Sequence, residues 1–275
     1  MRVDLHIHTT ASDSCWTPQQ VVEGIKSLGV GLFAVTDHDT TASVNIAGAL
    51  AREAGLAFLT GVEISTIVEE RLFHILGYGI DISEPVLAKL IQENRAKLEA
   101  TDEDDIHYLI SLGYTLDLEA YAAYEYERSR GGWKSLNYLI DHGFCKDLRD
   151  YMHNIRAKLP QEWPDFVHPT EAIAAIRRAG GTPILAHPGA SLKHSGVTET
   201  TLAPFLDYGI AGLECYSKYH SDETTAFCID WCTRHNQLIT GGSDYHGGFV
   251  NRQLGFPVVD IADLRLGELE SKIIQ

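Results

Sequence analysis

Short apolar runs and segments with helical spacing alternate along most of the chain. Val3, Leu5 and Ile7 alternate with polar residues, which is typical of a β-strand whose side chains point to opposite faces in turn. Further apolar runs of strand length occur at 31–36, 57–64, 72–78, 183–186, 211–216 and 238–240. Helical spacing predicts helices over 18–28, 41–54, 169–179, 198–208, 221–235 and 264–274. Strands that alternate with helices in this way predict a parallel α/β architecture.

This alternation is interrupted by one long segment. From Glu84 to about Asp165 the apolar spacing is helical throughout and indicates no strand. A chain of 275 residues is long enough for one large domain that carries an insertion. We therefore expect residues 1–83 and 166–275 to form the α/β body, and residues 84–165 to form a helical insertion that covers the substrate as a lid.

Charge and cysteine content argue against several classes of protein. The formal net charge of −16 disfavours tight binding to long nucleic acid, which needs a broad basic surface. A small anionic substrate remains compatible with this charge, because bound cations can reverse the local field. The five cysteines form no CxxC pair and indicate neither a disulfide framework nor a zinc ribbon. Neither a signal peptide nor a membrane-spanning run is indicated, so we predict a cytoplasmic location.

Histidine, aspartate or glutamate residues stand at or near the end of almost every predicted strand. These residues are His6, His8, Asp13, His38, Glu63, His74, His187, Asp244 and His246. In α/β barrels the functional face holds the carboxyl ends of the strands, and buried polar groups are costly unless they are satisfied. Imidazole and carboxylate ligands without thiolate suit manganese, iron or zinc. Nine candidates exceed the needs of one ion, so we expect two or three divalent ions and the hydrolysis of a phosphate ester.

The order of these motifs resembles that of the polymerase-and-histidinol-phosphatase (PHP) family. The motifs are His6-x-His8-Thr9, Thr36-Asp37-His38, Glu63, His74, Ala186-His187-Pro188 and Gly242-Ser243-Asp244-x-His246. The helical insertion after the fourth strand is similar to the subfamily of 3',5'-nucleoside bisphosphate phosphatases and 5'-to-3' oligoribonucleases, and some relatives open cyclic ribose phosphates. The resemblance implies a distorted (β/α)7 barrel with an inserted helical lid domain and three metal ions.

The resemblance also implies how the ligands are shared among the ions. One ion would take His6, His8, Glu63 and Asp244. A second would take Glu63, His74 and His187, and the third would take Asp13, His38 and His246. Asp4 lies on the same strand face as His6 and His8, and either orients an imidazole or makes an ordinary structural hydrogen bond.

Candidates for substrate binding lie mainly in the insertion. The basic, glycine-rich segment before a predicted helix offers Arg128, Ser129, Arg130 and Lys134. A helix amino terminus binds phosphate readily and arginine adds a bidentate fork, although the same segment could be an exposed linker. Arg95 could bind substrate or form a surface ion pair. His220 could bind phosphate or, like Asp13, handle the proton of the leaving group, or it could be a loop residue.

These observations together predict a metal-dependent phosphoesterase. We expect it to release phosphate from a small nucleotide or sugar phosphate, such as a 3',5'-nucleoside bisphosphate, by attack of a hydroxide that bridges metal ions. Three alternatives stay open: a 5'-to-3' exonuclease on short oligoribonucleotides, a cyclic ribose-phosphate phosphodiesterase, and a non-catalytic metal-binding protein. We expect neither long nucleic acid nor a membrane as a partner, and the oligomeric state stays open.

Overall fold

Seven strands follow one another around a barrel in the order of the sequence. The computed structural model describes all 275 residues. The strands are β1 (Arg2–Asp4), β2 (Val30–Val35), β3 (Ala57–Val68), β4 (Arg71–Tyr78), β5 (Thr182–Leu185), β6 (Gly212–Tyr216) and β7 (Leu238–Gly241). Leu5, just after β1, donates its backbone N–H to the Gly241 carbonyl (3.1 Å) and joins the first strand to the last. The predicted distorted barrel is confirmed, and a two-residue β8 (Val259–Asp260), which was not predicted, pairs antiparallel with β1.

The direction of β4 differs from the parallel arrangement that the strand–helix alternation predicted. β4 runs antiparallel to both β3 and β5, because Glu69 and Glu70 turn the chain directly back in a hairpin. Both residues have left-handed backbone angles, with φ of 48° and 63°. As a result the first half of β4, with His74 opposite Ser65, lies at the rim where the other strands end.

Helices surround the barrel and also build the insertion. The α-helices are α1 (Pro18–Ser27), α2 (Val44–Ala54), α3 (Pro85–Ser111), α4 (Leu118–Ala123), α5 (Lys134–Asp141), α6 (Leu148–Asp150), α7 (Pro169–Arg178), α8 (Pro188–Ser191), α9 (Glu199–Tyr208) and α10 (Asp222–Arg234). Shorter turns of helix occupy Arg128–Arg130, Tyr151–Ile155, Arg156–Lys158, Ile261–Asp263 and Gly267–Lys272. None of these helices combines the length and the apolar character that crossing a bilayer would require.

The alternation of side chains divides the buried residues between the inside and the outside of the barrel. Leu32 and Ala34 of β2 join a cluster inside the barrel with residues of β1, β3, β4 and β5, whereas Phe33 and Val35 pack with α1 and α2 on the outside.

The predicted helix over 264–274 is wrong, because its apolar residues belong to the cluster inside the barrel. Leu266 and Leu269 join the inner cluster and fill the lower end of the barrel, so their spacing does not mark an amphipathic helix. Only Gly267–Lys272 is helical, as a 3-10 turn.

The insertion has its own apolar core and touches the barrel beside the predicted ligands. Its core contains Ile106, Leu109, Tyr121, Leu136, Tyr138, Leu139, Cys145, Tyr151, Ile155 and Leu159. Asn94 of α3 is buried and donates through Nδ2 to Asp39 Oδ1 (2.9 Å) and to the Ser65 carbonyl (2.7 Å). At a second point the Gly132 N–H donates to the Asp13 carbonyl (2.7 Å). The insertion is therefore fixed to two of the loops that carry candidate ligands.

Candidate metal centre

The nine residues predicted as metal ligands lie together at one rim of the barrel. His6 and His8 follow β1, His38 follows β2, and the remaining ligands come from the loops and strands beside them. His187 and Asp244 adopt left-handed backbone angles, with φ of 23° and 51°. Such angles are unfavourable for residues other than glycine and collect at functional sites. The backbone is therefore locally strained at these two candidate ligands.

Side-chain atoms of eight of these residues fall into three groups, and within each group all the atoms lie within 4.8 Å of one another. His187 belongs to none of the three and contacts the cluster through Glu63. The groups are His6, His8, Glu63 and Asp244; His38, Glu63 and His74; and His8, Asp13, His38 and His246. The first group has the same members as the first ion's set in the sequence-based assignment. In the other two, His8 and His38 each lie close enough to belong to neighbouring groups.

Glu63 is the centre of the cluster. Its Oε2 lies 3.0 Å from His6 Nε2 and 3.1 Å from His8 Nε2. Its Oε1 lies 2.9 Å from both His74 Nδ1 and His187 Nε2. Burial by itself would raise the pKa of Glu63, but the surrounding imidazoles lower it well below its usual value. One buried carboxylate therefore faces several imidazoles with both of its oxygens.

The arrangement of donors and acceptors fits bound cations. His6 Nε2 and His8 Nε2 are only 3.2 Å apart and both face carboxylate oxygens, so neutral rings would bring lone pairs against lone pairs. Nδ1 of His74 and Oδ1 of Asp244 are buried without a hydrogen-bond partner, and both face other atoms of the cluster. Cysteine is absent from all three groups, and nitrogen and oxygen ligands alone suit zinc, iron or manganese. Divalent cations would satisfy these atoms where protein groups do not.

Glu214 is a functional candidate that the sequence analysis missed. Its side chain is fully buried on β6, and its Oε1 lies 2.9 Å from His6 Nδ1. Its Oε2 accepts a hydrogen bond from the backbone N–H of His187 (2.8 Å). A carboxylate at Nδ1 fixes the tautomer of His6 and leaves Nε2 free for a metal. The sequence feature that could have identified Glu214 is that it is the single acidic residue within the strand Gly212–Tyr216.

Asp4 and Asp37 organise the loops around the cluster. Asp4 accepts from the backbone N–H groups of Ser243 (2.8 Å) and Gly255 (2.9 Å) and does not touch an imidazole ring. Of the two roles left open for Asp4, the structure therefore shows the ordinary structural hydrogen bond. Asp37 accepts from the N–H and the hydroxyl of Thr9 and from the Ser12 hydroxyl, which shapes the loop that carries Asp13.

The structure places His220 in a supporting position. Its Nδ1 lies 2.8 Å from the Cys215 carbonyl, and its Nε2 accepts the backbone N–H of Gly189 (2.9 Å). A Cβ at Gly189 would come within 2.4 Å of the His220 ring, so this close contact requires glycine. With both ring nitrogens engaged, His220 has no free nitrogen for phosphate or for a leaving group. It holds the loop that follows His187.

The predicted substrate-binding residues of the insertion mostly contact the protein itself. Arg130 makes a bidentate ion pair with Asp141 (2.7 Å to each oxygen), and Arg128 donates to the Tyr126 hydroxyl. Lys134 donates to a backbone carbonyl, and Ser129 is exposed. The amino end of α5 is also occupied, because Asp102 accepts the Ser135 hydroxyl (2.8 Å) there.

Arg95 contacts both the loop that carries Asp13 and a neighbouring glutamate on its own helix. Its Nη1 donates to the Ala11 carbonyl (3.2 Å), and its Nε pairs with Glu99 (3.2 Å). The side chain is 34% exposed. Arg95 therefore combines the surface ion pair that was the alternative prediction with a contact to the loop that carries Asp13.

Arg252 and Lys218 are cations beside the ligands that the sequence analysis did not single out. Arg252 Nη1 lies 2.8 Å from Asp244 Oδ1, and Nη2 donates to the Tyr219 hydroxyl. Lys218 Nζ donates to the Asn251 carbonyl (2.7 Å). The sequence feature that could have identified them is their position after a strand: Lys218 comes two residues after β6, and Arg252 comes six residues after His246. They supply positive charge at the metal centre of an otherwise acidic protein.

Comparison with known proteins establishes the family. The family model of the PHP domain matches residues 4–175, which is more than half of the chain. The chain belongs to the PHP domain family. This agrees with the motifs recognised in the sequence, including those that contribute His6, His38 and Glu63.

Three relatives of this PHP-domain protein differ in their named activities. The chain is 28% identical over 270 residues to a phosphoribosyl 1,2-cyclic phosphate 1,2-diphosphodiesterase of Eggerthella lenta, covering 90% of this chain and 94% of the relative. It is 30% identical to a 3',5'-nucleoside bisphosphate phosphatase of Chromobacterium violaceum, covering 92% and 90%. It is 29% identical to the 5'-3' exoribonuclease Rnm of Escherichia coli, covering 88% and 84%.

A solved structure extends the similarity to the whole PHP-domain fold. A crystal structure from Bifidobacterium adolescentis, whose proposed activity is that of a metal-dependent phosphoesterase, superposes with a TM-score of 0.83 at 27% identity. The match covers 99% of this chain and 96% of that one. Together with the relatives and the ligand groups, this makes the PHP-domain protein a metal-dependent phosphoesterase that uses divalent ions.

Metal binding is expected to release protons at neutral pH. Burial acts to lower the pKa of His8, yet hydrogen bonds with Asp244 and Glu63 raise it to about 9. Below that pH the ring keeps a proton when no metal is bound, and the proton must leave before Nε2 can act as a ligand. Metal affinity should therefore rise as the pH increases from about 6 to about 9. Calorimetric titration with Mn²⁺ in buffers of different ionisation enthalpy counts the released protons.

The His235→Gln variant is the matched control for this titration. His235 is a partly exposed histidine that pairs with Glu199, and its replacement should leave proton release unchanged. Metal binding that is independent of pH and releases no proton from the wild-type protein would contradict the prediction.

Proposed function

We propose that the enzyme releases phosphate from a small nucleotide that carries a phosphate monoester, such as a 3',5'-nucleoside bisphosphate. The observation that carries this proposal is the convergence of nine imidazole and carboxylate side chains, with Glu63 at their centre, next to a helical insertion. The similarity to a bisphosphate phosphatase over 92% of the chain supports the substrate class. The net charge of −16 favours small anions over long polyanions, because a long polyanion would meet repulsion along its length.

The assignment of metal ligands is part of the proposal. We assign one ion to His6, His8, Glu63 and Asp244, a second to Glu63, His74 and His187, and a third to Asp13, His38 and His246. Divalent ions in these positions would neutralise charge on the phosphate oxygens and make water acidic enough to act as a nucleophile at neutral pH.

Phosphate binding and proton transfer would be carried out by side chains of the protein. Arg252 contacts Asp244 and His246 through Nη1 and donates to the Tyr219 hydroxyl through Nη2, so a phosphate oxygen at the metal centre would compete with Tyr219 for this guanidinium. Asp13 is the most exposed carboxylate among the proposed ligands, with 26% of its side chain accessible, compared with 4% for Asp244 and none for Glu63. We assign proton transfer with solvent or the leaving group to Asp13. His220 takes no part in proton transfer in this proposal, because both of its ring nitrogens are engaged.

We propose residues 84–165 as the lid that encloses the substrate. The insertion touches the ligand loops through Asn94 and Gly132, and this arrangement supports such a role. In this position the insertion would limit the size of the substrate and exclude water from the reacting groups.

The experiment that tests the proposed function is a screen of the purified enzyme with Mn²⁺ against phosphorylated metabolites. We expect phosphate release from a 3',5'-nucleoside bisphosphate to exceed release from sugar phosphates. Absence of phosphate release from every nucleotide, at full metal occupancy, would overturn the proposal. Release of mononucleotides from oligoribonucleotides without any release from bisphosphates would favour the exonuclease alternative instead.

Replacement of Arg252 by methionine is expected to lower kcat/KM for the preferred substrate by about tenfold, because a charge-assisted hydrogen bond to phosphate is lost. Arg177→Met removes the same charge from an exposed arginine that pairs with Glu268, and it should leave kcat/KM unchanged. Equal kcat/KM values for the two variants would contradict a role of Arg252 in phosphate binding.

A further inference from the structure

A turn at residues 217–220 follows β6 beside the proposed metal ligands and is fixed at both of its ends. The His220 N–H donates to the Ser217 carbonyl (3.0 Å), which closes the turn. The ring of His220 is hydrogen-bonded through both of its nitrogens, so the end of the turn is held as well. Lys218 and Tyr219 therefore lie at the tip of a turn whose position is set by the backbone around the site.

Tyr219 connects the metal centre to two cations. The centroid of its ring lies 5.5 Å from that of His187, a proposed ligand, in a T-shaped arrangement. Arg252 Cζ lies 5.3 Å and Lys218 Nζ lies 5.6 Å from the same centroid. Both distances are within the range of cation–π contacts, about 6 Å. One aromatic ring thus neighbours a proposed ligand and two positive charges, which places Lys218 and Arg252 beside the metal centre.

Lys218 has no acidic partner. Its Nζ donates to the Asn251 carbonyl (2.7 Å), and no carboxylate lies within ion-pairing distance of it. An ammonium group has three donors, so two of them are left for other acceptors. Partial burial and the neighbouring charge of Arg252 lower the pKa of Lys218, and the charge of Asp244 acts in the opposite direction. In a chain with 38 acidic and 22 basic residues, a lysine left without a counter-ion next to an arginine indicates an anionic ligand.

The two cations differ in which part of a ligand they can reach. Arg252 contacts Asp244 Oδ1 (2.8 Å) and the ring of His246, so an anion bound to it also meets the proposed metal ligands. Lys218 contacts none of these ligands, and its hydrogen bond is to Asn251, the residue before Arg252. An anion at Lys218 would therefore lie beside the metal centre but outside it. A small molecule with two phosphates could place one at each position.

We infer that Lys218 binds the phosphate that is not hydrolysed when the substrate carries two phosphates, as a 3',5'-nucleoside bisphosphate does. The inference rests on the proposed function, because the phosphate at the metal centre determines which one remains for Lys218. In this role Lys218 is a specificity-determining residue, which favours bisphosphates over monophosphates and takes no part in bond cleavage. Because the turn that carries it is already fixed, little conformational entropy is lost on binding.

The Lys218→Met variant tests this role, since methionine keeps much of the apolar length and removes the charge. The measured quantity is the ratio of kcat/KM for a 3',5'-nucleoside bisphosphate to kcat/KM for the nucleoside monophosphate that is hydrolysed faster. We expect this ratio to fall by about tenfold, because a charge-assisted hydrogen bond is lost with one of the two substrates only. Lys218→Arg keeps the charge and should retain most of the wild-type ratio.

The Lys26→Met variant is the control, because it removes the same charge from an exposed position in the last turn of α1. Its ratio should equal that of the wild type. An unchanged ratio in Lys218→Met, or an equal fall in Lys26→Met, would overturn the inference.

A binding measurement separates failure of this role from failure of the proposed function. Nucleoside phosphonates, in which carbon replaces the ester oxygens, bind without being hydrolysed, and calorimetry with the Mn²⁺-loaded enzyme compares the bisphosphonate with the monophosphonate. We expect Lys218→Met to lose about tenfold of the wild-type preference for the bisphosphonate. Equal preference in Lys218→Met and Lys26→Met overturns the role of Lys218. Absence of bisphosphate hydrolysis by the wild-type enzyme, with this preference intact, overturns the proposed function alone.

Discussion

The Glu63→Gln variant is expected to lose phosphoesterase activity by roughly 10³-fold or more, because a metal centre supplies several kcal/mol of charge stabilisation to the reaction. Glutamine has the same shape but no charge, and one oxygen becomes an amino group that cannot bind a cation. In the wild type the two oxygens lie 2.9–3.2 Å from five imidazoles, so the substitution changes every neighbouring group at once. Elemental analysis of the purified variant should show a matching loss of bound metal.

The Glu199→Gln variant provides the control for this experiment. Glu199 is an exposed glutamate that pairs with Arg234 and His235 on the surface, so its loss should leave rate and metal content unchanged. Circular dichroism and thermal melting would show that both variants are folded. If Glu63→Gln kept the wild-type rate with full metal, the assignment of Glu63 as the shared ligand would be refuted.

The Glu214→Gln variant is expected to lower metal affinity or activity by about 10- to 100-fold, the usual effect of removing a partner that orients a ligand. Glu214 accepts two hydrogen bonds, from the His6 ring and from the His187 backbone. Glutamine offers one acceptor oxygen, so its amino group must face either the N–H of the ring or that of the backbone. A change in the His6 tautomer follows if the ring loses its partner.

Two measurements distinguish orientation of a ligand from loss of structure. Titration with Mn²⁺ should show weaker binding together with a partial recovery of kcat at saturating metal, and ¹⁵N spectra of the imidazoles should report the tautomer. Thr240→Val is a matched control, because it removes a buried hydroxyl that donates to the Leu213 carbonyl (3.3 Å) without touching a ligand. If Glu214→Gln and Thr240→Val had the same small effect on metal affinity, Glu214 would be a structural residue only.

Much of the barrel could be predicted from the sequence because its strands are short, apolar and separated by well-marked helices. α1, for example, begins at Pro18, the first residue of the helix predicted over 18–28, and Thr17 caps it. The antiparallel direction of β4 could not be predicted, since Glu69 and Glu70 are not typical residues for a tight turn with positive φ. The helix predicted over 264–274 was wrong because apolar residues three apart, such as Leu266 and Leu269, can line one face of a helix or fill the interior of a barrel.

The candidate ligands could be predicted because most of them stand at or near the end of a predicted strand, where the residue type alone is informative. Partners that act through hydrogen bonds were harder to find, since Glu214 matters only for what it touches across the barrel. The basic residues of the insertion were misjudged for the same reason, because their role also depends on contacts that the sequence does not show. The sequence contains Arg130 and Asp141 eleven residues apart but does not state that they pair, and this pair occupies the guanidinium that was expected to bind phosphate.

The hydrogen bonds of Asn94 have a consequence for how a substrate would enter the site and how the metal ions would be retained. This amide ties α3 to Asp39, the residue directly after His38, and to the backbone of β3 two residues beyond Glu63. Any displacement of the proposed lid wide enough to admit a nucleotide would act on the same loop and strand that carry these two candidate ligands. We therefore expect substrate admission and metal retention to be coupled, with chelators extracting the ions fastest while the enzyme turns over.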